Sequence, residues 1–470
     1  MASPPNQPTS PQPVLSPIKQ FLRSQRFIEA AQRLNPVLLW AAIAGLLTGL
    51  IGGIFRLLVS ITLNSRVQWI DSLKSVPWAG ATASILLSGS MVYLGFLLMR
   101  RFAPDTSGSG IPQIEGMLEG YFPLVWQRVL PIKFISGILL LGGGMVLGRE
   151  GPTIQMGGSI GKMVATWFRA SEEQTRVLVA ASAGAGLTTA FNAPLAGILF
   201  VFEEMRPTFQ NALSAYRAVT LACITATIGL QVLLGNAPTL KLTQFQVPPL
   251  ASLWIFAVLG VACGVIGYYF NILLVRCLAL FANLRGLPYK LTGLFVGAVV
   301  GLMAWLYTPT TGGGEEMIIW SLDNVEPSHV LLLLFVIRFG MTILCYGSGA
   351  PGGIFAPLLS MATLFCLGIA RQTHTWFPDV LPHPEILTIA GMGALVAATV
   401  RAPLTAILLT LEITANYLLI LPILVSCLMA TMTAHGLGGR PIYTVLLERR
   451  LMRSRSTQTV KEEDQPLQFS

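Results

Sequence analysis

The sequence predicts an all-α, polytopic membrane protein, and three observations carry that fold class. Hydrophobic residues fill 53% of the 470 positions and charged residues only 11%, against about 25% charged in soluble domains, with a mean hydropathy of +0.67. Apolar runs near the roughly 20 residues that a spanning helix needs recur along the whole chain. Between them lie shorter apolar runs broken by Gly and Pro, and two of these recur in the second half.

Taken in order, Met1 to Pro17 is a Pro/Ser/Gln segment without the apolar core of a signal peptide, and is predicted to be disordered. Ser16 to Leu34 sets Lys19, Arg23, Arg26 and Arg33 against Phe21, Leu22, Phe27 and Ile28, the pattern of an amphipathic cytoplasmic helix on an anionic membrane face. Spanning helices are predicted over Pro36–Leu63, Trp78–Met99, Pro131–Leu147, Ala215–Leu234, Leu253–Leu280, Leu291–Leu306, Val330–Tyr346 and Leu418–Ala434. Short or broken helices are predicted over Thr153–Phe168, Val177–Ala190, Leu195–Phe202, Ile354–Ala370, Ile386–Val400 and Leu404–Leu411. Broken helices at membrane depth are tolerated where their ends line a polar cavity. Arg440, Arg449, Arg450, Arg453, Arg455 and Lys461 follow the last apolar run, so both ends are basic and both are expected in the cytoplasm.

The repeat is legible residue by residue. Gly184-Ala185 through Ala193-Pro194-Leu195 to Glu203 lies on Gly393-Ala394 through Ala402-Pro403-Leu404 to Glu412 at a shift of 209 residues. Gly148-x-x-x-Pro152 lies on Gly353-x-x-x-Pro357 at a shift of 205. Two halves with matching broken helices put a substrate site at their interface near the midplane. The chain therefore divides into 1–35, a first membrane repeat 36–240, a second 241–448, and a cytoplasmic tail 449–470.

The chemistry centres on Gly148-Arg149-Glu150-Gly151-Pro152. An ionised carboxylate at membrane depth is costly and by default marks an ion or proton path. Gly108-Ser109-Gly110-Ile111-Pro112, Gly349-Ala350-Pro351-Gly352-Gly353-Ile354-Phe355-Ala356-Pro357 and Gly438-Gly439-Arg440-Pro441-Ile442-Tyr443 supply three further Gly/Pro junctions of the kind that start helices. A helix start presents unpaired N–H groups and the positive dipole end, which together receive an anion. Burying a small ion costs on the order of 20 kcal/mol in the Born limit. Four hydrogen bonds at roughly 1.5–3 kcal/mol each, with dipoles adding up to about 2, offset much of that without a cation on the ion.

Other classes are disfavoured. The net charge of +9 is scattered or terminal, with no basic-aromatic face for nucleic acid. Cys223, Cys263, Cys277, Cys345, Cys366 and Cys427 stand singly in apolar runs and read as packing residues. His329, His374, His383 and His435 are isolated, so neither a metal cluster nor a Ser/His dyad is suggested, and an enzyme is not expected. Glu412 and Arg401 read as structural, and Gly312-Gly313-Gly314-Glu315-Glu316 as a connector.

The four junctions, in this order, resemble the signature elements of the CLC family of chloride channels and chloride/proton exchangers, and the likeness runs from Pro36 to Leu447. The resemblance implies the CLC fold of two inverted-topology repeats, and a homodimer with one pore per subunit. It implies that the hydroxyls of Ser109 and Tyr443 and the amides of Ile354 and Phe355 hold a central chloride. Glu150 would be the external gate and proton acceptor, and Glu204 the internal proton-transfer acid, with Arg149, Gly151 and Glu203 in support. Glu204 favours an exchanger of chloride for protons; a passive chloride channel gated by voltage or protons is the alternative. No cofactor is implied beyond the transported ions, and the protein is expected in a bacterial-type plasma membrane. Ser109 rather than proline resembles the chloride-preferring pattern, and the Gly-Arg-Glu-Gly-Pro form does not resemble the fluoride-exporting branch. Gln113 departs from the family in standing where many relatives carry an acid before Glu115. The tail after Leu447 is too short for the paired nucleotide-sensing domains that many relatives append.

Overall fold

The described residues of the computed structural model are 36–463 except 74, 206–211, 241, 243–244, 246, 377–382 and 384. The expected disordered N-terminus and amphipathic helix fall outside them. The first half builds α1 (Pro36–Ser72), α2 (Pro77–Phe102), α3 (Ile111–Leu118), α4 (Trp126–Gly142), α5 (Glu150–Trp167), α6 (Glu172–Phe191), α7 (Pro194–Glu203) and α8 (Ala212–Leu234). The second builds α9 (Leu253–Ala282), α10 (Gly286–Leu306), α11 (Glu315–Asp323), α12 (Ser328–Gly347), α13 (Phe355–Trp376), α14 (Ile386–Val400), α15 (Pro403–Thr414) and α16 (Ile420–Gly436), and α17 (Ile442–Glu463) closes the chain. Eight of these helices are long and apolar enough to cross a membrane: α1, α2, α8, α9, α10, α12, α13 and α16.

Two expected segments are corrected. Pro131–Leu147 is not one helix, because α4 starts earlier and stops at Gly142. Gly144 at φ 91° ends it, with its N–H donating to Leu141 and that of Met145 to Leu140, a glycine-led helix stop that satisfies the last carbonyls. Met145 to Leu147 thereby become the approach to Gly148. The second correction is α13, which is an unbroken helix of 22 residues rather than a short one. Pro351 precedes it and Pro357 sits in its first turn, where a missing N–H costs nothing.

The helices pair by repeat. α5 packs on α6 as α13 packs on α14, α1 on α8 as α9 on α16, and the repeat-mates α2 and α10 pack on each other. α6 ends at Asn192 and α14 at Arg401, both in the left-handed conformation, and each is followed by an Ala-Pro helix start. The repeat-mates α7 and α15 clasp reciprocally. The Glu412 carboxylate accepts from the amides of Leu195 and Ala196 at 3.0 and 2.8 Å, and the Glu203 carboxylate from those of Leu404 and Thr405 at 3.0 and 2.7 Å. Residue i bonding j while the counterpart of j bonds the counterpart of i is the mark of a two-fold relation. Glu203 and Glu412 are thus helix caps across the repeat boundary. Arg401, read from the sequence as structural, donates to the carbonyls of Thr431 and Gly439.

Removing one clasp tests this architecture. Glu412→Ala leaves the two α7 amides without their acceptor, a loss of about 1.5–3 kcal/mol for a hydrogen bond to a charged group. A lower melting temperature in detergent is the expected reading, and Glu203→Ala should act similarly from the other side.

Candidate anion site

Four helix starts converge, three of them because the loops before them hydrogen-bond to one another. Gly148 and Gly353, counterparts in the two repeats, exchange both backbone hydrogen bonds as an isolated antiparallel bridge, at 2.8 and 2.7 Å. The Gly352 amide donates to Gly108 at 3.1 Å and the Gly108 amide to Gly349 at 3.3 Å, tying the first junction to the third. α3, α5, α13 and α17 then begin at Ile111, Glu150, Phe355 and Ile442. All four junctions named in the sequence are therefore helix starts. The fourth joins through its side chain, since the Tyr443 ring stacks on Phe355 with centroids 6.4 Å apart.

Glu150 is fully buried in this meeting of loops. One carboxylate oxygen, Oε1, accepts from the Phe355 amide at 2.7 Å, so the acid lies on the start of α13. Glycine at 148 and 353 is required here. A Cβ on Gly148 would come within 2.0 Å of Oε2, and one on Gly353 within 2.1 Å of Oε1. Gly151 is needed for a similar reason, since its Cβ would fall 2.9 Å from both Gly353 N and Ser109 Cα.

Ser109 and Tyr443 are buried beside the acid. The Ser109 oxygen accepts from the Ile111 amide at 3.3 Å, and its side chain meets the Tyr346 hydroxyl. The Tyr443 hydroxyl is enclosed and finds no hydrogen-bond partner among the described residues, and neither does Glu150 Oε2. An enclosed hydroxyl without a partner costs free energy that a bound ion or water removes. Ile354 is fully buried at the start of α13, next to the Phe355 amide. Glu204, the C-terminal cap of α7, is buried as well. The charges of both Glu150 and Glu204 reach Tyr443. Phe191 and Phe200 pack against Phe355 at 6.4 and 6.2 Å and give this region apolar walls.

Arg149 and Lys133, two of the nearby cations, are engaged elsewhere. Arg149 donates from Nε to the Ala190 carbonyl at 3.1 Å and pairs through Nη2 with Glu315 at 2.5 Å. Lys133, which the sequence reading did not single out, is fully buried and donates to the carbonyls of Thr106 and Gly108 at 2.8 and 2.7 Å. Its signal was present as the one lysine of an otherwise apolar α4 interior. Gln155 is a second omission: Nε2 donates to the Asp105 carbonyl at 2.8 Å, and the side chain fills the space left by Gly110. Gln113, the departure from the family pattern, donates to the Ser107 carbonyl at 2.8 Å and helps hold the first loop.

Cavities open on both sides. One of about 130 Å³ is lined by Ser107, Ser109, Tyr346, Arg449, Arg450 and Arg453. The other, about 270 Å³, is lined by Gly148, Arg149, Ala356 and the loop Gly312 to Glu316. That loop is more than the connector the sequence suggested, since it walls one mouth of the site.

A buried cradle of amides and hydroxyls, flanked by acids and reached from two cavities through a duplicated helical bundle, defines an ion-conducting membrane protein. The match to the voltage gated chloride channel family model over residues 89–435 makes the assignment specific, and the chain belongs to that family. It is 45% identical over 437 residues to the H(+)/Cl(-) exchange transporter ClcA of Vibrio cholerae, covering 92% of each chain. It is 44% identical to the transporter of the same name from Vibrio parahaemolyticus, over 94% of this chain and 95% of the relative. The crystal structure of a slow cyanobacterial Cl-/H+ antiporter superposes with a TM-score of 0.87 at 51% identity, over 89% of this chain and 99% of that one. A eukaryotic CLC transporter at 22% identity and a TM-score of 0.69 shares the fold.

Lys133 gives a test of how the cradle is held. Lys133→Met keeps the stem and removes the ammonium, leaving two buried carbonyls without donors at about 1–3 kcal/mol each. A fall in detergent melting temperature is expected, with Lys133→Arg falling less.

Proposed function

We propose that this protein is a secondary active antiporter that exchanges chloride for protons along the path through this cradle. The observation that carries the reading is the Glu150 carboxylate seated on the Phe355 amide. A carboxylate that takes hydrogen bonds from a helix start occupies the place of an anion, and two like charges cannot share it at low dielectric. Protonation of Glu150 and arrival of chloride are therefore linked, because the neutral acid has less reason to stay on the amide and the anion more. In this reading the amides of Ile354 and Phe355 and the hydroxyls of Ser109 and Tyr443 hold chloride.

Glu204 is the second acid in the scheme, passing protons to and from the cytoplasmic side while Glu150 exchanges with the outside. Arg149 and Gly151 support the gate, the first at its mouth and the second by allowing close approach. Both acids are within charge reach of Tyr443, and names of relatives at 45% identity describe the same exchange. The basic run of Arg449, Arg450 and Arg453 supports a cytoplasmic mouth at Ser109 and an outer one at Arg149. A homodimer in a bacterial-type plasma membrane, each subunit with its own path and both termini cytoplasmic, belongs to this proposal.

Purified protein in liposomes tests it. Chloride leaving down its gradient should draw protons inward against theirs; chloride flux with no proton movement would defeat exchange in favour of passive conduction. Glu150→Ala should keep chloride flux and lose coupled protons, whereas Glu204→Gln should stop protons with the gate in place. Tyr443→Phe removes a hydrogen bond to a charged group of about 1.5–3 kcal/mol, so halide binding by calorimetry should weaken by roughly tenfold or more. Unchanged affinity would remove the hydroxyl from the site.

A further inference from the structure

The loop at the outer mouth is the repeat counterpart of the loop that carries Ser109. The turn Pro104–Thr106, Gly108 at φ 71°, Gly110 at φ 90° and the start of α3 at Ile111 answer to the turn Thr308–Thr310, Gly312 at φ 74°, Gly314 at φ 108° and the start of α11 at Glu315. Their ties correspond as well. Gly108 donates to Gly349 and Gly312 to Gly144. Lys133 holds the carbonyls of Thr106 and Gly108, and its counterpart Arg338, also fully buried, holds those of Pro309, Thr311 and Gly312. An inverted repeat sends such counterparts to opposite mouths.

The two mouths differ in what the shared backbone displays. Where the first loop has Ser109, Ile111 and Pro112, the second has Gly313, Glu315 and Glu316. At the Ser109 mouth three arginines line the cavity, and among the described ion pairs Asp105 engages one of them, Arg450. At the other mouth Glu315, 28% exposed, takes the guanidinium of Arg149, 15% exposed, directly beside Gly148 and Ala356. Glu316 stands near Arg66, and Arg56 near both Arg149 and Glu315. Arg338 fixes the loop from beneath, so Glu315 is held where it stands.

We propose that Glu315 is a positioning residue for anion entry: by pairing with Arg149 it neutralises the guanidinium at the outer mouth and weakens capture of external chloride. This rests on the exchange reading above. A cationic mouth concentrates anions and raises their rate of arrival, and an ion pair in the same place does not. The counterpart of Glu315 at the cytoplasmic mouth is the uncharged Ile111, so the asymmetry between the mouths resides in the acid the second repeat carries at 315.

Sided chloride flux in liposomes, comparing the unsubstituted protein with Glu315→Gln and Glu315→Asp, reads it. A partly exposed ion pair is worth up to about fivefold in an equilibrium constant. The KM for external chloride should therefore fall about three- to fivefold in Glu315→Gln, while Glu315→Asp stays near the unsubstituted value. The difference should shrink as an impermeant salt is added, because screening removes the advantage of a bare guanidinium. A KM that is unchanged, that falls equally from both sides, or that ignores salt would overturn the proposal, as would a loss of proton rate at constant KM. Absence of coupled flux in the unsubstituted protein would instead defeat the exchange reading itself.

Discussion

The pair of backbone hydrogen bonds between Gly148 and Gly353 is the constraint on which the site depends. These counterparts meet where the repeats cross, and two helices start two residues later on either side, at Glu150 and Phe355. The bridge therefore fixes a carboxylate from one repeat against an amide from the other, at 2.7 Å. Neither half holds this contact alone. The glycines are needed because a Cβ at either position would occupy the space of the carboxylate, so seating the buried acid here is itself a demand on the sequence.

Around that bridge the protein leaves some groups satisfied and others open. The loop carbonyls of Thr106, Gly108, Pro309, Thr311 and Gly312 are taken up by two buried cations, one per repeat. Irregular backbone at membrane depth requires such partners, because lipid offers none. The cations accordingly stabilise loops and do not sit on the cradle. Among the groups that stay open are the Tyr443 hydroxyl and one oxygen of Glu150, which in the exchange proposed above a transient ion engages and releases. A bare ammonium in the same place would bind an anion more tightly and release it more slowly.

Much of this was legible in the sequence, for identifiable reasons. Helix starts were readable because glycine and proline mark them locally, and all four junctions begin helices. The duplication was readable because an acid nine residues after an Ala-Pro start recurs at Glu203 and Glu412. What those acids do was not readable: each caps the other's helix, a contact spanning about 200 residues that no local pattern encodes. The end of α4 was misread for the opposite reason. Its apolar run continues through Met145 to Leu147, and hydropathy outweighed the glycine stop at Gly144. Lys133 was visible as a charge in an apolar helix, yet its partners are carbonyls of a loop that only the fold brings near.

The loop at 312–316 shows how a duplicated fold makes its two ends unequal. An inverted repeat supplies each mouth with the same backbone: a turn, two left-handed glycines, a helix start, and a buried cation beneath. Such a helix start favours negative charge in its first turn. The first repeat has the uncharged Ile111 and Pro112 in that turn, and the second fills it with the covalent anions Glu315 and Glu316. Glu315 then pairs with Arg149 beside Gly148 at the larger cavity. The same device appears at two depths, since Glu150 on α13 is also a carboxylate lodged at a helix start. It differs in being fully buried, so that in the exchange proposed its protonation is linked to an ion, whereas Glu315, partly exposed at the mouth, is proposed to act through its charge.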